Sequence, residues 1–169
     1  MKVSPQIEQL INAQINMELY SANAYLTMAA WFYSHDLDGF GNFFLVQMQE
    51  EQFHAMKYFR YLHDVEGTFR LETIPTPEQQ HTSVVEVFQK ALKNEEEVTR
   101  STHHLIDMSL QVKDFATYQF LEWFVREQVE EEATMRNILA KLQLIGDDKS
   151  GLFLLDRELG QRTFEGEAD

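Results

Sequence analysis

Apolar residues recur every three or four positions through four long stretches, roughly 5 to 34, 38 to 66, 82 to 110 and 114 to 144. That periodicity predicts four long amphipathic helices, each with a stripe that must be hidden from water. Ser4-Pro5 opens the first helix, Asp36 to Gly41 supplies the first turn, Ser83 with Glu86 forms a capping-box pattern, and Gly146 closes the fourth helix. Only seven glycines and three prolines interrupt the chain of 169 residues, which fits an all-α protein built as one domain over 1–169.

Two of the three connections are short, so the first helix runs antiparallel to the second and the third to the fourth. The middle connection, GTFRLETIPTPEQQH (67 to 81), has two prolines and an alternating Phe69, Leu71 pattern, and reads as extended chain. Such a segment spans roughly 50 Å, whereas a helix of about 28 residues is roughly 42 Å long. It reaches from one end of the bundle to the other, which predicts a four-helix bundle with one long crossover and parallel second and third helices. Residues 150 to 161, SGLFLLDRELGQ, have an apolar face of their own and predict a short fifth helix before an acidic tail over 162–169, frayed from Glu165 to Asp169.

Stepping by threes and fours gives the inward stripe of each helix. The first is Ile7, Ile11, Gln14, Glu18, Ser21, Tyr25, Met28 and Phe32, and the second is Phe40, Phe44, Gln47, Glu51, His54, Tyr58, Tyr61 and Val65. The third is Val84, Phe88, Ala91, Glu95, Val98, Thr102 and Leu105, and the fourth is Leu121, Phe124, Gln128, Glu131, Met135, Ile138, Leu142 and Ile145. Each stripe is apolar at both ends and polar near its centre. Midpoints of antiparallel helices meet, so Glu18, Glu51, Glu95 and Gln128 are expected at one level of the interior. With Glu131, one turn from Gln128, this makes four buried carboxylates, Glu18, Glu51, Glu95 and Glu131, that repel one another and lose hydration, so protons or cations must neutralise them. Four carboxylates, one imidazole and one amide suit a pair of divalent iron or manganese ions, with Glu51 and His54 at i and i+3 gripping one of them.

Other polar residues have ordinary readings. Tyr25 is either plain core or a hydrogen-bonding and redox partner of the buried carboxylates, and Trp123 beside Phe124 is mainly bulk for the core, with an electron-supplying role as the lesser reading. His103, His104 and Asp107 form at most a surface site, while His35, His63 and His81 stand at helix ends or in the crossover, where a solvated histidine is usual.

Composition narrows the function. A net charge of −14, from 14 basic against 28 acidic residues, argues against nucleic acid as a partner and favours cations. The lack of cysteine excludes disulfides and thiolate metal sites. No apolar run is long enough for a membrane span, and the opening MKVSPQIEQL is unlike a secretory signal, so a soluble cytoplasmic protein is expected.

The runs NMELYSANAYL (16 to 26), QEEQFHAMKYFRYL (49 to 62), FLEWFVREQVEEEA (120 to 133) and GLFLLDREL near the end closely resemble the non-haem bacterial and archaeal ferritins over nearly the whole chain. The resemblance implies a ferritin-like bundle and an iron-storage protein with ferroxidase activity, in which Fe(II) is oxidised by dioxygen or hydrogen peroxide and Fe(III) is mineralised inside a homo-oligomeric cage of 24 subunits. It implies that Glu18, Glu51 and His54 hold one iron, that Glu51 bridges to a second held by Glu95 and Glu131 with Gln128 alongside, and that Glu50, Glu127 and Glu130 form a third site. Tyr25 matches the family's tyrosine near the diiron centre. Bacterioferritins carry a second Glu-x-x-His and a haem methionine directly after the bridging glutamate; here Gln128-x-x-Glu131 and Gln52 stand instead, so no haem is expected. Rubrerythrins need paired cysteines, and the mini-ferritins lack a fifth helix. The competing readings are a carboxylate-bridged diiron oxidase acting on a small substrate and a metal-free helical interaction module.

Overall fold

In the computed structural model, which describes residues 2–164 and Gly166, the chain forms α1 (Pro5–Tyr33), α2 (Asp38–Asp64), α3 (Val84–Gln111), α4 (Phe115–Ile145) and α5 (Lys149–Leu159), with no strand among the described residues. Local chemistry explains most of the ends. Ser4 accepts from the Ile7 amide and Pro5 fills the first turn of α1; Ser83, Asp114 and Asp148 cap α3, α4 and α5 through their side chains. The capping box at Ser83 closes only on one side. Ser83 Oγ accepts from the Glu86 amide, but the Glu86 carboxylate turns to the amide and hydroxyl of Thr82, both at 2.5 Å. Gly146 ends α4 at φ +54°, a left-handed conformation that favours a residue without a Cβ.

The first turn is shorter than Asp36 to Gly41. Asp36 takes the left-handed conformation at φ +56°, α2 begins at Asp38, and both glycines lie inside it. Gly39 is there for proximity: a Cβ on it would meet the Asp156 carbonyl oxygen at 1.7 Å, because α5 crosses directly over this turn. The same crossing supplies the cap that Leu37 cannot, since Asp156 Oδ1 accepts from the Phe40 amide at 3.0 Å.

Contacts fix the directions. Val3 at the start of α1 bonds Val65 at the end of α2, Gln14 meets Ser101 while Tyr25 meets Glu95, and Gln47 meets Glu131 while Tyr61 meets Thr117. Thus α1 is antiparallel to α2 and α3, α2 is antiparallel to α4, and α2 and α3 run parallel. The crossover follows α1 along its length on a polar ladder that the sequence did not suggest. Asn12 holds Thr68 and Arg70, Asn16 holds Glu72, and Thr27 holds Glu78.

All the stripe positions are buried except Tyr61, Val84 and Ile145, which are half-buried. They build two apolar clusters. One centres on Tyr25, Phe32, Phe40, Phe44, Phe88 and Met135 and takes in Leu155 and Leu159 of α5; the other centres on Ile7, Ile11, Tyr58, Leu62, Leu105, Leu121 and Phe124. The polar residues named above separate them. Two further differences from the expectation concern surface segments. His81 is buried, not solvated, because the crossover keeps to α1 as far as Trp31 and sets the His81 ring edge-on to it at 5.9 Å. Arg162 to Phe164 are docked on α2; of the tail from Glu165 to Asp169, only Gly166 lies among the described residues.

Candidate metal centre

Glu18 of α1, Glu51 and His54 of α2, Glu95 of α3, and Gln128 and Glu131 of α4 are all buried, none more than 4% exposed. Helical spacing delivers them, since each lies on its helix's inward stripe and i, i+3 steps place Glu51 with His54 and Gln128 with Glu131 on common faces. Glu18, Glu51 and His54 offer ligand atoms within 4.8 Å of one another, and so do His54, Glu127 and Glu131. His54 is therefore shared between two candidate positions. Its Nδ1 lies 3.8 Å from Glu51 and its Nε2 4.0 Å from Glu127. Glu95 stands outside both groups and is held from the far side: Tyr25 donates its phenolic proton to Glu95 Oε1, and Gln128 Nε2 reaches Oε2 at 3.2 Å. Glu50 is one-fifth exposed, Glu127 is half-buried, and Glu130 is exposed and belongs to neither group.

The electrostatics of the cluster are dominated by burial and by repulsion between carboxylates. Both oxygens of Glu51 and Oε2 of Glu18 are buried without a hydrogen-bond partner among the described residues. Burial, then repulsion from Glu95 and Glu18, pushes the Glu51 carboxyl well above the usual range, and a proton shared with Glu18 would raise it further. Glu95 is raised well above that range by burial and by Glu131, against the lowering effect of its Tyr25 and Gln128 bonds. Glu131 is pushed up to about 7 by burial and Glu50, with His54 and Gln47 opposing. The phenol of Tyr25 is raised by burial, then by Glu95 and Glu51, so it stays protonated and donates. A pair of divalent cations would offset the burial and mutual repulsion that raise Glu51, Glu95 and Glu131, and would satisfy the orphaned oxygens.

Several functional neighbours escaped the sequence reading. Gln14 donates to Glu18 Oε1 at 2.8 Å and accepts from Ser101 at 2.5 Å, and Gln47 donates to Glu131 Oε2 at 2.8 Å. Their signal was present, since both stand on the inward stripes one turn before Glu18 and Glu51. Asn94 donates to Ser21 at 2.8 Å and to Tyr25 at 3.3 Å, and nothing in its acidic surroundings, NEEE, marks it. Trp123, which the sequence already set beside the inward stripe, meets His54 edge-on at 5.5 Å and lies under the Lys57 ammonium at 4.2 Å. Arg162 had no signal at all. His103, His104 and Asp107 are exposed and form no candidate group.

Four long helices, a full-length crossover and a carboxylate-histidine cluster at mid-height define a bundle protein of the kind that holds paired metal ions between its helices. Comparison with known proteins narrows this class. The model of the ferritin-like domain matches residues 8–145. A bacterial non-haem ferritin of Campylobacter jejuni is 41% identical over 155 residues, covering 92% of this chain and 93% of that protein, and one of Staphylococcus aureus is 39% identical over 165 residues, covering 98% and 99%. The open-pore ferritin of the hyperthermophilic archaeon Archaeoglobus fulgidus superposes with a TM-score of 0.94 at 45% identity, covering 95% of this chain and 98% of that one. The chain belongs to the ferritin family. Among the described residues, no helix is long and apolar enough to cross a membrane.

Proposed function

We propose that this protein is an iron-storage ferritin in which residues 1–169 act as one ferritin-like unit and Fe(II) is the substrate. The observation that carries the reading is the buried cluster of Glu18, Glu51, His54 and Glu131, drawn from three helices, with unpartnered carboxylate oxygens in the middle of a bundle that is apolar above and below. Glu18, Glu51 and His54 take one iron, and Glu51 bridges to a second held by Glu95 and Glu131, with Gln128 steering Glu95. Glu50, Glu127 and Glu130 take a third cation on its way out.

In the reaction two Fe(II) give one electron each to dioxygen, which takes two protons from solvent to become hydrogen peroxide, or to hydrogen peroxide, which takes two protons to become two waters. The bundle's part is to hold both ions within reach of a single oxidant, so that two electrons leave together. Tyr25, hydrogen-bonded to Glu95 and Asn94, fixes the Glu95 carboxylate and is close enough to act as a redox partner. Fe(III) then hydrolyses and is stored within a hollow homo-oligomer of 24 subunits. Cytoplasmic residence follows from that role.

Anaerobic loading with two Fe(II) per subunit, followed by mixing with oxygen in a stopped-flow instrument, tests the reading. Wild-type protein should show a fast oxidation phase that saturates at two Fe(II) per subunit, and electron microscopy after repeated loading should show dense cores in hollow shells. A small dimer without cores would favour an oxidase acting on an organic substrate.

A further inference from the structure

After Leu159, residues 160–164 stay against the bundle. Asn42 Nδ2 reaches the carbonyls of Leu159, Gly160 and Arg162, the last at 2.9 Å, and the ring of Phe164 packs on Phe53 at 6.2 Å. Residues 160–164 thus form a strap along α2 that passes the candidate metal centre. Its one charged side chain points inward. The Arg162 guanidinium lies over Phe43 at 4.6 Å, donates to Gln47 Oε1, and donates to Glu50 Oε2 at 2.7 Å. Gln47 passes the contact on, since its own amide donates to Glu131. Arg162 is only one-quarter exposed and Glu50 one-fifth. A planar cation is held here by three groups, at the rim where Glu50, Glu127 and Glu131 approach one another.

We propose that Arg162 is a resident counter-cation that competes with metal for Glu50, so that a third cation is held only by displacing the guanidinium and is readily passed on. This inference rests on the diiron reading and adds to it a residue that controls exit. Arg162 is a positioning residue: it acts through Glu50 and Gln47, and its loss leaves every proposed ligand in place. Without it Glu50 is free to bind, the third cation stays, and transfer from the paired site slows.

The test is anaerobic titration of the assembled full-length protein with Zn(II), which is redox-inert, followed by calorimetry in wild type, Arg162→Gln, Glu50→Gln and the double variant. Wild type should bind two Zn(II) per subunit tightly and a third weakly. Arg162→Gln should still bind two Zn(II) per subunit tightly and should tighten the third by about tenfold, the effect of removing one charge-assisted contact. In the Glu50→Gln background the same change should have no effect, and Arg162→Lys should lie between wild type and Arg162→Gln. A third site absent from all variants, unaltered by Arg162→Gln, or altered equally with and without Glu50, overturns the proposal. Failure of wild type to bind the tight pair would refute the diiron reading itself, and this inference with it.

Discussion

At one end of the bundle Phe32 stacks on Phe40 at 5.1 Å and on Phe44 at 5.5 Å; toward the other, Tyr58 stacks on Phe124 at 4.0 Å. The layer between is just as deeply buried, yet it is filled with Glu18, Glu51, His54, Glu95 and Glu131. The apolar clusters gain from being dry, through area removed from water and close ring packing. The middle layer loses by the same dryness, because like charges are gathered without hydration. Stability therefore comes from the ends, which hold the helices in register, and that register holds together a layer that would otherwise disperse.

Variants that break one region and spare the other sharpen this contrast. The largest effect belongs to the layer. Glu18→Ala or His54→Ala should slow the fast phase of iron oxidation by at least about 100-fold, more than loss of an outer partner of a metal ligand costs, with little change in melting temperature of the metal-free protein. Rapid oxidation retained in both, followed by stopped-flow absorbance, would remove these residues from the site. Phe88→Ala does the reverse. It excavates the aromatic cluster and should cost about 3–5 kcal/mol in chemical denaturation, whether or not metal is present.

A smaller effect is the pH dependence of the metal-free protein. Glu51, Glu95 and Glu131 have folded-state values above their unfolded ones, so the folded protein binds more protons and their contribution to stability falls as pH rises. For Glu131 that loss runs from the ordinary carboxylate value of 4.5 up through about 7. Thermal melts should therefore fall across this window, and Glu131→Gln should flatten the curve. Saturating Zn(II) should reverse the trend, because metal binding to deprotonated carboxylates strengthens with pH. A melting temperature that rises from pH 5 to 7 in the absence of metal would contradict the electrostatics described here.

Most of this arrangement was legible in the residues. The four helices could be read because their apolar stripes have a single period, and the layer because Glu18, Glu51, Glu95 and Gln128 interrupt those stripes near their midpoints. What stayed hidden depends on contacts between segments distant in sequence. Asn12 and Asn16 look like poor helix formers until the crossover is seen to hang from them. Gly39 reads as part of a turn until α5 is laid over it. Arg162 reads as the start of a tail, and only the return of the strap along α2 brings its guanidinium to Glu50. Periodicity reports which face of a helix is buried; it carries no information about which remote backbone or side chain will meet it.

Whether Glu18, Glu51, His54, Glu95 and Glu131 hold two metal ions at mid-bundle is tested by anomalous diffraction at the iron edge from crystals soaked anaerobically in Fe(II). Two peaks about 3.5–4 Å apart, flanked by Glu51 and ligated by the other four residues, are the expected result. Iron bound only at the outer carboxylates, with no density among these five side chains, would contradict the account.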